Sequence, residues 1–156
     1  MSTKKWSITV FFSLVLVGSL SLVVPRWRAH AASGCSVSSL NGPFSFSTTG
    51  FFTNNGQLGL ASNVGRILLD GTGNLSGSET ASVNGTILRN FGFSGTYTVA
   101  QDCTGSATLQ PSTGGAPSPI DFVITANGTL LQLMYTIDGF SVSGTAYQMG
   151  NPPQSN

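Results

Sequence analysis

Between Asp121 and Ala146, apolar side chains alternate with polar ones, and the alternation continues through two turn dipeptides, Asn127-Gly128 and Asp138-Gly139. A period of two marks a strand with one buried face. Asn-Gly and Asp-Gly favour tight hairpins because both residues tolerate left-handed backbone. If each dipeptide is a two-residue turn, Phe122 pairs with Leu133, and Leu133 pairs in turn with Gly144. Phe122, Ile124, Leu131, Leu133, Tyr135, Ile137, Phe140, Val142 and Ala146 then share one face, while Asp121, Thr125, Gln132, Thr136, Ser141, Ser143 and Thr145 take the other. A slip of one residue would turn the whole apolar set into water, so alternation and turns together define the register.

The rest of the chain repeats the pattern with weaker punctuation. Strands are expected over Phe44 to Phe51, Ala61 to Leu69, Leu75 to Val83, Thr86 to Phe93, Thr96 to Ala100 and Ser106 to Leu109. Breaks fall at Asp70-Gly71-Thr72-Gly73-Asn74, Asn84-Gly85 and Asp102-Cys103-Thr104-Gly105, while Gly56, Gly59 and the Ser112 to Pro119 stretch read as loops. No window sustains a helical period, and the 19 glycines beyond residue 31 would weaken any helix. Sequential strands with one apolar face must close on themselves or fold into two sheets. The expected fold is an all-β domain, a single antiparallel up-and-down β-barrel of about 8–9 strands, with a two-sheet β-sandwich as the alternative; hairpin-sized connections favour the barrel because few are long enough for Greek-key crossings. If Gly71 to Asn74 form a four-residue loop, Arg66 faces Glu79 as a candidate ion pair.

Lys4 and Lys5 precede an apolar run from Ile8 to Val24, and Ala29-His30-Ala31 offers small residues at a signal-peptidase site. Residues 1–31 are therefore expected to be a secretory signal peptide, residues 32–150 the barrel domain and residues 151–156 a disordered tail. An uncleaved membrane anchor and a lipoprotein signal ending at Cys35 are the alternatives. Cleavage removes four of the six basic residues, taking the formal charge from +1 to −3 and leaving no Lys, His or Trp. Nucleic acid is then excluded as a partner for want of clustered cations, and stable membrane insertion is not expected. Both cysteines, Cys35 and Cys103, stay in the exported part and are expected to form one disulfide, which would stabilise the fold by about 4 kcal/mol in the chain-entropy model.

Five segments carry a resemblance: Val64-Gly65-Arg66, Asp70-Gly71-Thr72-Gly73-Asn74-Leu75-Ser76-Gly77, Gly95-Thr96-Tyr97-Thr98-Val99, Asp102-Cys103-Thr104-Gly105-Ser106-Ala107 and Ser143-Gly144-Thr145-Ala146. In this order, from Cys35 to about Gln148, the chain resembles a group of small secreted bacterial proteins of unassigned function. The resemblance implies export, a disulfide and a small antiparallel barrel, similar in architecture to lipocalin-type or allene-oxide-cyclase-like barrels. Architecture alone transfers no function.

Without His beyond residue 31, the usual nucleophilic triads and zinc sites are ruled out. No cofactor and no catalytic residue is assigned. Asp70-Gly71-Thr72-Gly73-Asn74 resembles part of a calcium loop but lacks its downstream Glu, so no metal is expected. The sequons at Asn74, Asn84 and Asn127 coincide with turns that want Asn for its backbone. Phe51-Phe52 reads as an exposed contact patch or as packing at a barrel mouth. The leading functional reading is a barrel that binds a small apolar ligand in its interior, lined by Phe44, Phe46, Tyr97, Phe122, Leu131, Leu133, Tyr135 and Phe140, with Val99, Ile124 and Val142 beside them. A solid-cored structural or surface-matrix protein is the alternative, and a cyclase- or isomerase-like enzyme comes third.

Overall fold

The computed structural model describes residues 34–150. The expected signal peptide, residues 1–31, and the tail, residues 151–156, lie outside the described residues. Eight strands follow in chain order: β1 (Asn41–Asn54), β2 (Gln57–Asp70), β3 (Asn74–Val83), β4 (Thr86–Val99), β5 (Thr104–Pro111), β6 (Ser118–Thr125), β7 (Leu130–Tyr135) and β8 (Phe140–Gln148). Each pairs antiparallel with its neighbour, and β1 pairs with β8, so the sheet is a closed up-and-down barrel rather than a sandwich. Among the described residues no helix is long and apolar enough to cross a membrane.

The C-terminal meander keeps the register expected from its turns: Phe122 pairs with Leu133 and Leu133 with Gly144. Asp138-Gly139 is the expected two-residue turn, closed by the Phe140 amide donating to the Ile137 carbonyl (3.0 Å), but the turn at Asn127-Gly128 is wider. Ala126, Asn127 and Gly128 all take left-handed backbone (φ 49°, 56° and 91°), which makes a four-residue connection with the same pairing on either side. Two other hairpins do turn on two residues, Asn55-Gly56 and Asn84-Gly85, with positive φ at both positions. The first of these was expected as a loop, yet β1 and β2 run straight into it, which places Phe51 and Phe52 on a strand.

Two further expectations are corrected. The stretches Thr86 to Phe93 and Thr96 to Ala100 are one strand, which gives eight strands, within the expected 8–9. Gly95 looks like a break but lies within the ladder, where a Cβ would collide with the Thr108 carbonyl of β5. The Arg66–Glu79 ion pair does not form: Arg66 pairs with Ser78, and Glu79 with Gly65. The cause is local. The Asp70 carboxylate accepts hydrogen bonds from the Thr72 and Asn74 amides (2.8 and 3.0 Å), which tightens the loop to Gly71–Gly73 and moves the register by one. Arg66 consequently faces out and Glu79 faces in.

The interior is filled by phenylalanine rings lying over glycines on the next strand. Phe46 sits across from Gly65, Phe52 from Gly59, Phe93 from Gly77 and Phe122 from Gly105. A Cβ on Gly77 would lie 2.5 Å from the Phe93 ring, so these glycines make room for the rings of a narrow barrel. One end is closed by Ser36–Leu40, which includes a short 3-10 turn, Val37–Ser39. Leu40 is fully buried, the Cys35–Cys103 disulfide ties this segment to the β4–β5 connection, and the Tyr97 hydroxyl donates to the Leu40 carbonyl (2.9 Å) while accepting from the Gly71 amide (3.0 Å).

Candidate binding site at the open end of the barrel

Among the described residues the opposite end has no such plug. There the inward-facing positions carry polar groups: Asn63 on β2, Glu79 on β3 and Tyr135 on β7, with Thr48 on β1 directly across from Asn63. Asn63 faces in because β2 alternates from Leu69, and Glu79 faces in because of the three-residue β2–β3 loop. Just beyond Glu79 the β3–β4 ladder shifts register, and Asn90 takes left-handed backbone (φ 55°) opposite that point. Such a bulge puts a local bend and extra twist into β4 beside Glu79.

Asn63 Nδ2 donates to Glu79 Oε2 at 3.2 Å. Burial pushes the Glu79 carboxyl above its ordinary value, partly offset by that hydrogen bond. Tyr135 is pushed up to about 12, first by burial and then by the neighbouring Glu79 charge. These groups open onto a pocket of about 220 Å³ whose walls include Ala61, Val83, Leu88, Phe91, Ile137, Phe140 and Val142. Phe140 stacks on Phe52 at the rim, with ring centroids 5.6 Å apart. The arrangement is an apolar well with a carboxyl, an amide and a phenol on one side.

The eight residues expected to line a ligand site are divided by the structure. Phe46, Tyr97, Phe122, Leu131, Leu133 and Tyr135 surround an internal cavity of about 50 Å³, and Phe44 is packed with no exposed surface. That cavity is far below the roughly 300–1,000 Å³ of ordinary small-molecule sites. Phe140 lies instead at the mouth, and Tyr135 borders both spaces. Thr48 also borders the inner cavity, and its buried Oγ1 has no hydrogen-bond partner among the described residues. Sequence reasoning named Glu79 but turned it toward Arg66, and it missed Asn63, Thr48, Leu88 and Phe91. The missed signal was the Asp70-Gly71-Thr72-Gly73-Asn74 loop, where an Asp that caps its own loop makes the connection shorter than its glycines suggest.

A larger hollow, about 600 Å³, lies on the outer wall around Thr98, Ser106, Asp121, Val123 and Met134. It is a shallow dish on the barrel's outside, in which the Thr98 and Ser106 hydroxyls bond each other (3.1 Å). Among the described residues no three His, Cys, Asp or Glu side chains gather as metal ligands. Set against protein-family models, curated proteins and solved structures, the chain matches none of them.

Proposed function

We propose that this protein is an exported barrel that binds one small, mostly apolar molecule bearing a polar group, and that the molecule enters at the open end rather than the packed centre. The observation that carries this reading is Glu79, a carboxyl held half-buried with Asn63 and Tyr135 beneath an apolar well. A barrel built only for rigidity would gain by placing an apolar side chain there, because a buried charge costs several kcal/mol unless it is partnered. The disulfide fits an oxidising compartment, which supports export. Native mass spectrometry of the exported protein tests the binding claim. One small adduct per chain is expected, and it should be lost in Ser118→Trp, which fills the pocket from its rim. Absence of any adduct, or an adduct that Ser118→Trp leaves in place, argues against the open-end site.

Two other readings each have one supporting observation. The outer face of β2 exposes Leu58, Leu60, Val64 and Leu68, which suits a structural or adhesive protein. The raised Glu79 and Tyr135 suit proton transfer, as in a cyclase or isomerase.

A further inference from the structure

We propose that the molecule taken by the open-end pocket is a small apolar amine, bound as its ammonium cation, and that the site discriminates against carboxylates. This rests on the open-end pocket being a binding site, and it adds the sign of the ligand's charge.

The charge of the pocket decides the matter. Among the described residues Glu79 is its only charged side chain, and no Lys, Arg or His lines it. The two cations of the described residues are elsewhere: Arg66 is on the outer face across from Ser78, and Arg89 is exposed. Glu79 Oε2 accepts from Asn63, and among the described residues no other side chain donates to this carboxylate, so Oε1 is free to accept from a guest. An anionic guest would bring a second negative charge into a partly dry site with nothing to neutralise it. An ammonium would supply the missing partner through a charge-assisted hydrogen bond.

The walls agree with this polarity. Phe91, Phe140 and Tyr135 present aromatic rings to the same space, and ring faces attract cations. The volume of about 220 Å³ lies below the drug-sized range, which favours an amine with a single ring or a short chain.

The experiment compares three probes of similar shape, phenethylamine, phenethyl alcohol and hydrocinnamate, by calorimetry on the exported protein at neutral pH. Phenethylamine should bind roughly 10- to 100-fold more tightly than the alcohol, and hydrocinnamate most weakly. Glu79→Gln keeps the shape and removes the charge; it should erase the preference for the amine while leaving the alcohol's affinity within about threefold. Because the chain carries a net negative charge after residue 31, this variant also separates the site from general attraction. A persistent preference in Glu79→Gln, or hydrocinnamate binding as well as phenethylamine, overturns the inference while leaving the pocket intact. If none of the three binds, the pocket reading is overturned and the inference goes with it.

Discussion

Replacing Phe46 by Ala removes a ring that is 7 % exposed, lies over Gly65 and meets the Phe93 ring edge-on at 6.1 Å and 66°. Gly65 has no side chain to move into the gap, and the ladders on both sides of β1 hold the backbone apart. The gap should therefore remain, adding roughly 100 Å³ to the existing cavity of about 50 Å³. At about 24 cal/mol per Å³ the new space alone costs about 2.4 kcal/mol, and the lost transfer free energy brings the total to about 3–5 kcal/mol. Urea unfolding with the disulfide intact measures this as a lower midpoint at unchanged slope. An apolar cavity of roughly 150 Å³ also takes up benzene, so benzene should raise the melting temperature of Phe46→Ala and leave the parent protein unaffected. A loss below about 1 kcal/mol with no benzene effect would refute the packed Phe-over-Gly interior.

Tyr97→Phe deletes the hydroxyl that bonds Leu40 and Gly71 and should cost about 1–3 kcal/mol, with faster amide exchange confined to residues 36–40; unchanged exchange there would mean that the plug is held by the disulfide alone. Thr48→Val removes a buried hydroxyl without a partner and should be neutral or stabilising by about 1 kcal/mol, whereas a loss of that size would show that Oγ1 is bonded in solution. For pH, Asp70 and Asp102 are held below their ordinary 3.8, chiefly by side-chain hydrogen bonds from Asn74 and Thr104 respectively, so the stability they contribute is present above 3.8 and lost as pH falls through their lower folded values. Burial raises Glu79 above 4.5, so its neutral form is the favoured one on folding, and stability should fall as pH climbs from 4.5 through the folded value. Glu79→Gln should flatten that upper decline and leave the acid limb unchanged; a decline that persists in the variant assigns it to another group.

The parts of the fold legible in the sequence are those where two signals overlap. From Asp121 to Ala146, alternation and turn dipeptides agree, and the pairing survives although the turn at Asn127-Gly128 is four residues wide. Over β2 the signals conflict, because Leu58, Leu60, Val64 and Leu68 make the outer face as apolar as the inner one, so alternation alone cannot say that Asn63 points in. Glycine misled for a related reason. Along the chain Gly59 and Gly95 resemble breaks, but in a narrow barrel Gly59 is wall over which the Phe52 ring lies, and Gly95 is where β5 backbone comes close. The site was half visible: Glu79 is the chain's single glutamate and falls within an expected strand, and its direction depended on one hydrogen-bonded loop that no period encodes.

The open-end site is tested most directly by mapping chemical shifts during a titration with phenethyl alcohol, the uncharged probe, which depends on the pocket and not on its charge. Saturable shifts are expected at Asn63, Glu79, Tyr135 and Phe140, with the plug residues 36–40 unmoved. Shifts concentrated instead at Val123 and Met134 on the outer wall, or no saturable shifts at all, would contradict binding at the open end.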